Sequence, residues 1–133
     1  VVMLALLIIM PVCAMTGCSG SKEQDNKTSV DYTVVENADL PEELKKLIES
    51  KKDKVMRLTY TTKDYTYVVA GYGTRETSGY SIKVNDVYTG DNALYIDLNL
   101  IGPAAGEAVN EVDTYPVIVL KMERREESVV FKM

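Results

Sequence analysis

Polar and apolar residues alternate with a period of two in two stretches of the second half of this 133-residue chain. Leu94, Ile96, Leu98 and Leu100 interleave with Tyr95, Asp97 and Asn99, and Tyr80, Ile82 and Val84 with Ser81, Lys83 and Asn85. Such alternation sends successive side chains to opposite faces of a strand. The same reading predicts strands over residues 30–35, 54–61 (Met56, Leu58 and Tyr60 on one face), 65–70, 79–84, 115–122 and 128–133. Thr61-Thr62-Lys63-Asp64 and Thr89-Gly90-Asp91-Asn92 are expected turns between them. One stretch has a different period. Leu40, Leu44, Leu47 and Ile48 recur at helical spacing, with Glu42, Glu43, Lys45, Lys46, Glu49 and Lys51 on the other faces, which predicts a helix over 40–52. Asp39 and Glu42 have the form of a capping box around Pro41, and acids lead while bases follow, as the helix dipole prefers. Six to seven short strands and one amphipathic helix near the N-terminal side make the expected fold mainly β: a small antiparallel sandwich or barrel.

The first residues break this pattern. Residues 1–14 carry no charge and, apart from Pro11 and Cys13, consist of Val, Leu, Ile, Met and Ala; Met15-Thr16-Gly17-Cys18 follows, and apolar character stops at Ser19. A short apolar core ending in small residues has the form of a secretory leader with a cleavage site. Met15-Thr16-Gly17-Cys18 resembles the bacterial lipobox, which implies cleavage after residue 17 and lipidation of Cys18. A membrane-spanning helix is the competing expectation, since about 18 apolar residues is the lower limit for a span. Pro11 and Thr16-Gly17 interrupt such a span, and it would give no reason for a Cys at the boundary. The stretch begins without Met or a basic residue, which leaves room for a start upstream of Val1. The expected organisation is a signal peptide over 1–17, a lipidated Cys and disordered tether over 18–29, and a single β domain over 30–133. Residues 19–29 mix charge with Gly and Ser and hold no sizeable apolar side chain, so they cannot bury a core. Acyl chains on Cys18 would anchor the chain to the lipid bilayer without spanning it, at an extracytoplasmic location.

Composition narrows the chemistry. Of the 2 Cys, Cys13 leaves with the expected leader and Cys18 takes the lipid, so the mature domain has no thiol, disulfide or Cys ligand. The chain contains 0 His, and no Ser or Lys stands in a recognisable nucleophile motif. Gly71-Tyr72-Gly73 lacks the rest of a nucleotide fingerprint. No catalytic residue, metal site or cofactor is therefore expected, and the chain is not expected to be an enzyme. A net charge of −5 and a pI near 4.8 argue against a nucleic-acid partner.

Two loops stand out: residues 71–79 (GYGTRETSG), rich in Gly between strong strands, and residues 102–113 (GPAAGEAVNEVD), long for a hairpin. The residues around them carry a resemblance. Tyr67-Val68-Val69-Ala70, Glu76-Thr77-Ser78-Gly79-Tyr80-Ser81-Ile82, Gly102-Pro103 and Thr114-Tyr115-Pro116-Val117-Ile118-Val119 follow one another in the order and spacing of a known family. The chain is similar there to the C-terminal domain of PrcB protease-complex subunits, found in bacterial lipoproteins. Glu76 stands where that family usually has Pro, and Ser78 where it usually has the first Gly. The resemblance implies a non-catalytic protein-binding module that associates with an exported protease and supports its assembly or stability. The candidate contact surface is formed by Thr77, Ser78, Gly79 and Tyr80 with Gly102, Pro103, Tyr115 and Pro116. These residues also have purely structural expectations: positive φ at Gly79, Tyr80 packed inward, and Pro116 at an edge or bulge of the last long strand. Two alternatives stand beside this reading. The Thr-Ser-Gly-Tyr turn is similar to a loop of chagasin-like protease inhibitors, although the chain lacks their Asn-Pro and has no Trp for their second loop. A structural envelope lipoprotein is the other.

Overall fold

A computed structural model describes residues 27–133. The expected leader, the lipidated Cys18 and most of the expected tether lie outside the described residues. Among the described residues, eight strands, one α-helix and a 3-10 turn make up the fold. β1 (Thr28–Ser29) and β2 (Thr33–Val34) precede the 3-10 turn Asn37–Asp39 and α1 (Glu42–Lys51). Then come β3 (Val55–Thr61), β4 (Tyr65–Tyr72), β5 (Ser81–Gly90), β6 (Ala93–Ile101), β7 (Val117–Glu123) and β8 (Ser128–Lys132). They form two four-stranded sheets, ordered β1-β5-β6-β8 and β2-β7-β4-β3.

Two cores hold three layers together. Between the sheets, Val68, Ala70, Leu120 and Met122 of one meet Val87, Leu94, Ile96 and Leu98 of the other. On the far face of the second sheet, Tyr67, Val69, Val119 and Met56 are covered by Leu40, Leu44 and Ile48. β4 is therefore buried on both faces, which explains why Tyr67-Val68-Val69-Ala70 is continuously apolar instead of alternating. The β-sandwich class expected from the sequence is the one observed.

Four details differ from expectation. In place of the predicted strand over 30–35 stand two short strands in different sheets: β1, just before that range, pairs with β5, and β2, within it, pairs with β7. The reason lies in two of its three valines, because Val30 packs into the inter-sheet core while Val35 packs into the helix-side core. The segment must cross between layers, and this raises the strand count to eight. β1 is made of Thr28 and Ser29, the last two residues of the expected tether. The helix begins at Glu42 with Pro41 at its cap and no side-chain capping bond; Asp39 closes the preceding 3-10 turn instead, its N–H donating to the Glu36 carbonyl at 3.0 Å.

The fourth difference is Pro116, which lies just before β7 rather than at an edge or bulge within it. In the β4–β7 ladder Arg124 N–H bonds the Asp64 carbonyl and Tyr72 N–H bonds the Pro116 carbonyl, so the even residues of β4 face β7 with their backbone groups. The next bond would run from residue 116 N–H to the Tyr72 carbonyl, and proline has no N–H to give. The ladder stops there. Arg75 Nη2 donates to that carbonyl instead, at 3.2 Å.

A candidate partner-binding surface at one end of the sandwich

The 71–79 loop leads into β5 and the 102–113 loop leaves β6, and Ser81 pairs with Ile101 at that end of the hairpin. The two loops are joined along their length. Arg75 and Thr114 exchange backbone N–H···O bonds, both 2.8 Å, as an isolated antiparallel bridge. Thr114 Oγ1 donates to the Thr77 carbonyl at 2.7 Å. Ser78 N–H donates to the Asn110 carbonyl at 3.0 Å, and Asn110 N–H returns a bond to Ser78 Oγ at 2.9 Å. Short polar side chains that bond to backbone are the usual means of ordering irregular segments.

Two glycines permit the close fit. Gly79 has φ +96°, and a Cβ there would lie 3.0 Å from Pro103 Cβ and 3.2 Å from Val109 Cγ1. Tyr80 rests on Gly102, where a Cβ would come within 3.2 Å of the ring. Tyr80 is half-buried, and the Arg75 guanidinium lies 5.7 Å from its ring centroid. Tyr80 and Pro116 share a groove of about 170 Å³ with Ile82 and Ile118. Tyr115 is exposed beside this groove's Pro116, with Lys52 Nζ 4.6 Å above its ring. All of the candidate contact residues named from the sequence thus gather at one end of the sandwich.

The sequence reading missed Arg75, Asn110, Val112 and Thr114. Arg75 carries the junction between loops and ladder, and Val112 is 54% exposed at the tip. Only residue type could have marked them, since Ser, Thr and Asn favour loop hydrogen bonds but do not announce their partners. The surface is acidic: Glu76, Glu107, Glu111 and Asp113 are exposed, and Arg75 is the one base in the two loops. Beneath it, burial lifts the Tyr72 hydroxyl above a phenol's ordinary pKa, and that hydroxyl makes no hydrogen bond among the described residues. Among the described residues, no group of three or more Asp, Glu, His or Cys side chains is placed to hold a metal ion.

Comparison with known families gives this surface a context. The family model described as PrcB C-terminal matches residues 66–123. That segment belongs to the PrcB C-terminal family. The PrcB C-terminal segment runs from β4 to β7 and includes both loops, so the candidate surface is part of what the family model covers. No curated protein and no solved structure matches the chain.

Proposed function

We propose that this chain is a lipid-anchored, extracytoplasmic protein whose β domain is a non-catalytic binding module, and that it assists the assembly or stability of an exported protease. The observation that carries the reading is the fusion of two loops, distant in sequence, into one ordered surface inside the PrcB C-terminal segment. Loops held by a rigid sheet are where proteins commonly place recognition. A preordered surface also loses less entropy on binding.

The route of the chain supports the same reading. β1 joins the sheet at Thr89 and Tyr88, near the far end of β5, whereas the loops adjoin its other end at Ser81. Eight residues of strand separate the two ends by about 25 Å. An anchor upstream of β1 therefore enters at the end remote from the loops, and leaves them open to a partner.

The test is a pull-down with the lipidated full chain, in parallel with Val112→Asp and Thr77→Lys. The parent is expected to recover an exported protease, and the two loop variants to lose it while keeping the parent's circular dichroism. Recovery of no exported protease by the parent, or equal recovery by the loop variants, would overturn the reading.

A further inference from the structure

Of the four strands at sheet edges, β1 and β2 have two residues each, β8 five and β3 seven. The outward groups of β3 follow from the ladder. Thr62 N–H donates to the Tyr65 carbonyl, so Tyr60, Leu58 and Met56 turn their backbone groups toward β4. Val55, Arg57, Thr59 and Thr61 then direct their N–H and C=O groups away from the sheet, and all four are exposed. Beside this edge, where α1 ends and β3 begins, lies an open groove of about 450 Å³. Lys51, Lys54 and Arg57 line it with Asp53, Val55 and Leu58. None of the three bases takes part in an ion pair among the described residues. On a chain of net charge −5 this is a local reversal of sign.

We infer that β3 accepts an extended acidic segment of a partner protein as an added strand of the second sheet. Strand addition supplies main-chain hydrogen bonds for affinity, while alternate side chains choose the occupant. Here the groove beside β3 offers Lys51 from the end of α1, Lys54 and Arg57, together with the apolar side chains of Val55 and Leu58. Basic side chains along an edge also oppose pairing with a second copy of the same edge, so the charge selects against self-association and for an acidic guest. The groove is continuous with the loop surface: Thr74 N–H and Oγ1 both reach the Asp53 carbonyl at 3.3 Å, and Lys52 covers Tyr115. The inference rests on the reading of the domain as a protein-binding module, but it uses a separate set of residues.

The probe is a seven-residue peptide alternating Val or Thr with Glu, tested on the full chain beside a counterpart with Lys for Glu. Amide exchange at Val55, Arg57, Thr59 and Thr61 is expected to slow with the acidic peptide alone, and less so as salt rises. Lys54→Glu and Arg57→Glu should each weaken binding about tenfold. Thr59→Pro removes an outward N–H without touching the β4 ladder, so the variant should fold and lose the peptide. Equal binding of the basic peptide, undiminished binding by Thr59→Pro, slowed exchange from self-association, or no slowing at millimolar acidic peptide would each overturn the inference. A parent chain that captures the protease but does not bind the acidic peptide counts against β3 alone, and one that binds the peptide but captures no protease counts against the loop surface alone.

Discussion

At the scale of single residues, the junction between the loops depends on a few backbone requirements. Gly79 and Gly106 both have positive φ, +96° and +83°, but only Gly79 is closely surrounded. Gly106→Ala should therefore cost only the left-handed backbone term, about 1 kcal/mol. Gly79→Ala adds a contact with Pro103 that must give way, and should cost about 2 kcal/mol. Urea midpoints of the two variants separate conformational strain from steric strain, and equal losses would show that the Pro103 contact relaxes freely. Arg75 and Pro116 make a second test. Arg75→Ala leaves the Tyr72 carbonyl without its donor, at a cost of about 1 kcal/mol. In a Pro116→Val background residue 116 regains an N–H, so the same Arg75→Ala change should cost less. A double-mutant cycle with no coupling would refute the exchange of donors. Gly79 was legible in the sequence because few residues suit its turn. Arg75 was not, because its role arises only once Pro116 is set opposite Tyr72.

At the scale of elements, periodicity was informative wherever one face was buried and misleading where a strand changed its habit. β6 alternates without interruption and was read nearly in full. β5 was read only to Val84, because Val87 falls on the wrong parity; a register shift between Val84 and Asp86 returns Val87 to the inter-sheet core. An extra residue in one strand does this by breaking the alternation once. The strand at 30–35 failed for the related reason that its ends serve different cores. The helix was legible from Leu40, Leu44 and Ile48, though its cap was not, since Asp39 is engaged in the turn before it. Leu44 is wholly buried between α1 and the second sheet, and Leu44→Ala should cost about 3 kcal/mol. Half-buried Leu47 has less to lose, so Leu47→Ala is the control. Thermal unfolding of the pair would show whether α1 is an integral layer. Equal shifts would mean that it is only loosely attached.

At the scale of the molecule, the class of fold follows from alternation and the length of the chain, but the pairing of strands does not. β8 runs parallel to β6, a partnership that no local pattern encodes, because periodicity assigns faces and not neighbours. The gathering of the two loops has the same origin: β5 and β6 form one hairpin, so whatever precedes the first and follows the second must meet. This geometry bears on the proposed anchor. Among the described residues, both cores draw on side chains from Val30 to Met133, so the proposed domain carries its own cores. Cys18→Ser should therefore leave the unfolding midpoint and the circular dichroism of the domain unchanged. It should at the same time shift the chain from the membrane fraction to the soluble fraction, since the diacyl anchor is the proposed source of attachment. Detergent partitioning and radiolabelled palmitate incorporation read the second effect, and urea unfolding reads the first. A Cys18→Ser chain that remained in the membrane fraction without the label would point to a spanning leader. One that no longer folded would mean that the domain extends upstream of β1.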